Sequence, residues 1–311
     1  MFFYETDKRY NQFSEHLKHI FNEKVYKVTL DAGFTCPNRD GTLSSEGCIF
    51  CDGSGSFSQL YSNELTVEQQ LKTGISKIRE KYKANKFLSY FQAYSNTYRP
   101  VEELEAIYDA ALTDKDVVGL AIGTRPDCVD EQKLDLISKY TQDYYTWVEY
   151  GLQSVHDKSL KYINRGHDFS SFKKACQLSK ERNINVCAHV ILGLPTETKE
   201  DMLETAHVLG GMSIEGIKIH LLCVLENTKL ATMYSEHGLK MLEEDEYIET
   251  LCDFLELLPP SMTIQRLTGN GLKRILIAPR WLTKKFELLN KIDKELERRN
   301  SYQGSRFGMP L

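Results

Sequence analysis

Residues 25–51 read VYKVTLDAGFTCPNRDGTLSSEGCIFC. The first seven, 25–31, mix β-branched and aromatic residues as a strand does. The rest is rich in turn formers, Pro37, Asn38, Asp40 and Gly41, and reads as a loop rather than a core element. That loop carries Cys36 and, after eleven further residues, Cys48 and Cys51 with Ile49 and Phe50 between them. Two cysteines two residues apart can turn both thiolates to one metal centre, and Gly41 and Gly47 let the longer segment fold back to bring in Cys36. Three thiolates are one short of a closed cluster or a structural zinc, which leaves the open position that catalysis needs. From spacing alone, two plainer readings stand beside this one: a zinc site completed by a distant ligand, and buried free cysteines.

Outward from this stretch, further short apolar runs at 86–93, 117–123, 145–151, 184–192 and 216–224 read as strands. Several are almost continuously apolar, as in parallel strands covered on both faces. Amphipathic segments lie between them. In 66–83, Val67, Leu71, Ile75, Ile78 and Tyr82 step by 4, 4, 3 and 4 along one helix face. Segment 100–112 opens with proline and two glutamates, segment 168–182 with an aspartate cap, and 198–209 and 243–258 complete the set. Six strand–helix units imply right-handed crossovers and a parallel sheet, either a partial (β/α)6 barrel or a doubly wound sheet. The cysteine loop leaves the C-terminal end of the first strand, where barrels place their chemistry. Pro259-Pro260 is the best boundary, dividing a barrel with its N-terminal extension (1–258) from a C-terminal extension (259–311). The extension contains a probable strand at 261–267 and a basic helix near 283–299.

Bulk properties constrain the setting. With 311 residues, 41% hydrophobic and 27% charged, the chain is of ordinary globular composition. A net charge of −5 gives no global attraction to nucleic acid. No run of about 18 apolar residues and no signal-peptide core is present, so the expectation is a cytoplasmic protein without a membrane span. In that compartment the eight cysteines read as thiols or metal ligands rather than disulfides. Cys128, Cys176, Cys187, Cys223 and Cys252 are dispersed, so no second cluster is expected.

Taken together, the motifs resemble the radical S-adenosylmethionine (SAM) enzymes whose barrel is like that of the Elp3 family. The resemblance is nearest to bacterial stand-alone members with the long Cys-x11-Cys-x2-Cys spacing. GFTCPNRDGT (33–42) and GCIFC (47–51) match the cluster loop; TRPD (124–127), EYGLQS (149–154), NRGHD (164–168), ILGLPTET (191–198) and LENTKL (225–230) follow at successive strand ends. The resemblance implies a [4Fe–4S] cluster on Cys36, Cys48 and Cys51, with SAM chelating the open iron. An electron passed to the sulfonium would release methionine and a 5′-deoxyadenosyl radical. By similarity Phe50 fills the aromatic position before the last cysteine. Ser95 and Asn96 would hold the methionyl amine, in a segment that departs from the usual Gly-Gly-Glu. Glu149, Gln153 and Ser154 would meet the ribose or its surroundings, and Arg165 the SAM carboxylate. Leu192, Gly193 and Pro195 would contact adenine, and Arg125 and Asp127 would line the substrate rim. Plainer readings remain: Glu149 and Arg165 as a structural ion pair, His189 as a satisfied core histidine, Cys128 as an inert rim thiol.

Elp3-like barrels act on wobble uridines, so the resemblance implies a tRNA nucleoside as substrate and a flavodoxin- or ferredoxin-like protein as reductant. Arg266, Lys273, Arg274, Arg280, Lys284 and Lys285 make the C-terminal part locally basic, and Trp281 and Tyr302 could stack on bases. Interleaved acids give the same stretch the look of a solvated helix surface. Two alternatives stay open: a radical SAM enzyme acting on a small metabolite or cofactor precursor, and a zinc-stabilised adaptor without catalysis.

Overall fold

The computed structural model describes residues 6–53, 65–269 and 274–309, so Lys273 lies outside the described residues. The strands are β1 (Val25–Leu30), β2 (Lys86–Phe91), β3 (Val117–Thr124), β4 (Tyr145–Gln153), β5 (Asn185–Leu192), β6 (Gly216–Leu221), β7 (Val224–Leu225), β8 (Thr263–Arg266) and β9 (Leu276–Ala278). The helices are α1 (Phe13–Phe21), α2 (Val67–Tyr82), α3 (Val101–Ala110), α4 (Glu131–Tyr140), α5 (Asp157–Tyr162), α6 (Phe169–Lys180), α7 (Lys199–Gly211), α8 (Lys229–His237), α9 (Glu244–Leu257) and α10 (Lys285–Arg298). Helix starts follow the local chemistry. Thr66 and Thr198 form reciprocal capping boxes with Gln69 and Asp201, and Asp130 and Asp168 cap α4 and α6.

Seven parallel strands form one sheet in the order β1-β2-β3-β4-β5-β6-β8, and β7 pairs with β9 as a separate antiparallel ribbon. The sheet therefore continues past the expected boundary at 258/259, because Thr263–Arg266 hydrogen-bonds beside β6. The expected run 216–224 divides: β6 ends at Leu221 and Val224 opens β7. Helices α1, α4, α5 and α8 were not among the expected elements.

Whether the sheet is open or rolled is decided by one lysine. Six strand spacings of about 4.8 Å would hold β1 and β8 roughly 29 Å apart in a flat sheet. Yet Lys27 on β1 donates to Glu149 on β4 at 3.1 Å and to Gln265 on β8 at 2.9 Å. The sheet is rolled into an incomplete barrel, and Lys27–Gln265 spans its open seam. The N-terminal segment closes the bottom of that seam: Ile264 N–H donates to Asn11 O at 2.7 Å and Gln12 bridges to Ile264.

Side chains sort by strand alternation. Val28, Leu30, Phe87, Phe91, Leu120, Val148, Tyr150, Val186 and Ile219 face the helices in the main core. Inside the barrel, Phe13 and Leu17 of α1 join Leu88, Tyr90, Ala121, Trp147 and Cys187 as an apolar floor. No helix among the described residues is long and apolar enough to cross a membrane. The C-terminal segment is tied down by the buried Gln303, which receives Asn11 N–H on its carbonyl and donates to Pro259 O and Met262 O.

Candidate active site

Above the floor, the loop after β1 covers the barrel mouth. Cys36 O accepts the N–H groups of Arg39 and Asp40, and Leu43 N–H returns to Pro37 O, so the eleven-residue spacer curls on itself. Gly47 sits at φ +74°, where an added Cβ would meet Arg39 Nη1 at 2.9 Å. Cys51 N–H then donates to Cys48 O at 3.0 Å, closing the two-residue turn between the paired thiols.

The loop is docked on all sides. Asn164 Nδ2 donates to Gly47 O at 2.7 Å, Ile49 N–H to Ile163 O at 3.1 Å, and Asn38 Nδ2 to Asn164 O at 2.6 Å. Leu230 N–H at the start of α8 reaches Ile49 O, and Ser95 N–H after β2 reaches Thr35 O. Ile49, with Phe50 packed alongside, sits among Leu160, Ile163, Ile191, Leu194 and Leu230. Arg165 Nη1 and Asn38 Nδ2 each lie 3.6 Å from Cys48 Sγ as donors. Burial pushes the Cys51 thiol up, a penalty that a bound metal cation reverses.

The three thiols stand too far apart to share one ion. A zinc ion with bonds of about 2.3 Å needs its sulfurs roughly 3.8 Å apart. Among the described residues, the one trio of ligand atoms lying within 4.8 Å of one another is His156, Asp201 and Glu204, so the three cysteines stand wider than that. They still share one rim: Cys51 N–H closes on Cys48 O, and Asn38, two residues after Cys36, lies 3.6 Å from Cys48 Sγ, as does Arg165, whose carbonyl Arg125 holds. Beside the loop, Asn96 donates from Nδ2 to Gly123 O at 2.7 Å while its buried Oδ1 has no partner among the described residues. An orphan acceptor there suits an ammonium donor such as the amine of SAM. Ser95, equally buried, lies next to the Cys128 thiol, which burial and Asp127 push up to about 12.

Other expected site residues are placed differently. Arg125 is buried and holds Asp127 bidentately (Nε to Oδ1 2.9 Å, Nη2 to Oδ2 2.7 Å) while its Nη1 donates to Arg165 O at 2.8 Å. This pair braces the NRGHD loop and does not present a free rim to substrate. Arg165 directs Nε and Nη2 to Gly151 O, so Nη1 is the face left toward the sulfur and any carboxylate. Gly151 makes room for it: a Cβ would lie 2.6 Å from Arg165 Nη2 and 3.0 Å from Gln153 Nε2. Gln153 thus stands beside Arg165. Ser154 does not, since its hydroxyl donates to Glu197 and accepts His156 N–H.

The Leu192 side chain belongs to the outer core and its carbonyl accepts Leu222 N–H; Ile191 and Leu194 are the apolar neighbours of the cluster loop instead. Gly193 holds φ +86° with its N–H on Met202 Sδ, and Pro195 follows half-buried on the same turn. Trp281 packs on Tyr247 with ring centroids 5.7 Å apart, so it is core rather than a stacking platform.

Glu149 lies inside the barrel, not at the mouth. It pairs with Lys218 and Lys27 and accepts from His189 Nε2 at 3.0 Å, so its partner is not Arg165. Although burial opposes the charge, the two lysines and His189 hold the Glu149 carboxyl well below its ordinary range. His189 is a satisfied histidine, kept neutral by burial and by Lys218 down to about pH 4. Lys218 and His220 of this layer were not picked out from sequence. The signal was the period-two charge in Ile217-Lys218-Ile219-His220, hidden in a run that reads as apolar.

Comparison with known proteins agrees with this geometry. The model of the radical SAM superfamily matches residues 36–209, and that of the radical SAM C-terminal domain matches 214–298. The protein YtqA of Bacillus subtilis is 42% identical over 305 residues, covering 97% of this chain and 94% of its own. The tRNA uridine(34) acetyltransferase of Methanocaldococcus infernus is 28% identical over 172 residues, 54% of this chain and 31% of that protein. In fold, the chain is similar to Methanocaldococcus infernus Elp3, with a TM-score of 0.67 at 20% identity over 90% of this chain and 64% of that one. A half-barrel with three cysteines at its mouth, inside a match spanning more than half of the sequence, places the chain in the radical SAM superfamily, as an enzyme working with a [4Fe–4S] cluster and SAM.

Proposed function

We propose that this enzyme modifies a tRNA nucleoside of the wobble-uridine class. The observation that carries the reading is the similarity, along the barrel, to a protein named for its action on tRNA uridine 34. Only 31% of that protein is matched, so the reading takes over the RNA substrate and not the acetyl transfer. Cys36, Cys48 and Cys51 would hold the cluster, with Arg165 and Asn38 orienting Cys48. Asn96 and Ser95 would receive the SAM amine, and Ile191, Leu194 and Phe50 would offer apolar surface. When bound, cluster and SAM supply a 5′-deoxyadenosyl radical that removes hydrogen from an unactivated C–H bond. A flavodoxin- or ferredoxin-like protein would deliver the electron. Arg274 and Arg280, exposed on either side of β9, are candidates for the RNA backbone.

Much of the C-terminal basic charge is already matched: Lys291 with Glu244, Lys284 with Glu287, Arg298 with Glu295, and Arg299 with Asp253 and Glu295. A contact confined to the mouth fits that charge balance better than a broad basic face.

Two measurements test the reading. The dithionite-reduced holoenzyme should convert SAM to 5′-deoxyadenosine; a Cys51→Ala variant that still does so would sink the cluster assignment. Nucleoside mass profiles of tRNA from a deletion strain should show one altered uridine, and an unchanged profile would exclude RNA.

A further inference from the structure

Halfway down the barrel interior, basic groups outnumber carboxylates among the described residues. Lys27, Lys218 and Arg266 place three basic groups there, and burial, with the charges of Lys27 and Arg266, lowers Lys218 to about 7. Glu149 is the carboxylate whose charge acts on Lys218, His189 and His220 among the described residues. Lys218 and Lys27 both lean on Glu149, whereas Arg266 has no carboxylate within ion-pair distance among the described residues. Arg266 reaches this layer through an irregularity. The β6–β8 register slips between Ile217 and Lys218, so Lys218 pairs with Arg266 after Ile217 has paired with Ile264. A bulge of this kind re-aims one side chain, so Gln265, on Lys27, and Arg266 can both serve the interior.

Water reaches the layer. Lys27 and His189 keep 25% and 19% of their side-chain surface although they sit between strands, while Lys218 keeps 4%. The floor beneath is closed by Trp147, Leu88 and Phe13. Glu149 stands two residues below Gly151, whose carbonyl positions the guanidinium beside Cys48, so the layer lies about 7 Å under the mouth. Three basic groups gathered around one carboxylate, with no second carboxylate beside them among the described residues, make a setting that an anion would complete.

We propose that Arg266 and Lys218 bind an anionic oxygen group, a carboxylate or a phosphate, carried by the substrate into the barrel. This rests on the reading of the mouth as the place where hydrogen is removed: an anion held one layer below would fix the depth to which the reacting carbon enters. Both side chains suit it, the guanidinium as a planar fork and the ammonium as a point charge. His189 and His220, neutral at pH 7, add ring nitrogens without further charge.

Crystals of the SAM-bound holoenzyme grown in bromide and measured at the bromine edge should show an anomalous peak between Arg266 and Lys218. Displacement by acetate identifies a carboxylate site and displacement by inorganic phosphate a phosphoryl site. No peak, or a peak that neither displaces, overturns the proposal. In solution, Arg266→Gln protein with wild-type iron content should need about tenfold more tRNA from the deletion strain for half-maximal 5′-deoxyadenosine formation, with Arg266→Lys recovering part. Arg266 is a half-buried edge-strand residue, so its removal spares the fold, and an unchanged tRNA requirement overturns its role in substrate binding. If wild-type enzyme ignores tRNA altogether, the tRNA reading falls, while the bromide peak still decides the site.

Discussion

The floor and the middle of the barrel interior are built from the same strands, one inward-facing step apart, yet their chemistry is opposite. Leu88, Trp147 and Cys187 lie in the floor, and two residues on from the last two come Glu149 and His189. The floor holds by shape: Phe13 and Tyr145 meet Trp147 edge-on at 5.3 and 5.6 Å. The middle layer holds by charge, with a fully buried carboxylate that two lysines keep ionised. Apolar groups of similar volume would usually serve stability as well or better than a buried ion pair. Stability alone therefore accounts for the floor and does not account for the middle layer.

Removing one partner is the sharpest way to break this contrast. Glu149→Leu strands Lys218 and Lys27 in the interior and should cost about 3–5 kcal/mol in urea unfolding. Adding Lys218→Met should recover a large part of that loss, because the more deeply buried of the two stranded ammoniums is then gone, while Lys27 keeps Gln265 and a quarter of its side-chain surface in water. If the double variant is no more stable than the single one, the charges are not coupled as the geometry has them.

The floor should respond without such rescue. Leu88→Ala leaves a void among fully buried neighbours and should cost about 2–5 kcal/mol, with iron content and SAM cleavage retained in the folded fraction. A smaller effect is expected one step above the charges. Gly151→Ala places a methyl against Arg165 Nη2, and the overpacking should cost about 1–3 kcal/mol while loosening the guanidinium from Cys48. Faster loss of iron to a chelator is the measurement; retention at the wild-type rate would show that Arg165 does not position that thiol.

The contrast also explains how far the sequence could be read. Strands, most long helices and the cysteine loop were legible because each is local: apolar runs, capping residues, a turn-rich spacer. Cap chemistry at Asp168 marked a helix start where it occurs. The seventh strand was recognised as a strand, but its partner was not, since pairing with β6 is a tertiary fact. Side-chain direction was the larger loss. Glu149 and Ser154 share the motif EYGLQS, yet one points into the barrel and the other hydrogen-bonds Glu197, and motif matching does not see that alternation. Arg125 and Asp127 likewise looked like a free rim because a bidentate pair two residues apart leaves no pattern distinct from two exposed charges.

The most gradual effect is expected in acid, and it bears on the middle layer alone. His189 is held neutral by burial and by Lys218, its pKa lowered from 6.5 to about 4, and His220 is held well below its ordinary value for the same chief reason, burial. Between pH 6.5 and 4 the unfolded chain takes up the His189 proton and the folded one does not. Stability is therefore complete above pH 6.5 and declines as pH falls through this window, by up to about 1.4 kcal/mol per pH unit for each such histidine. His189→Gln keeps a donor for Glu149 and removes the titration, so urea midpoints between pH 6.5 and 4 should fall less steeply than in the wild type. An equal slope in both would mean that His189 is already charged in the native barrel. The interior would then carry more positive charge than the layer described here, with Glu149 shared among three cations rather than two lysines.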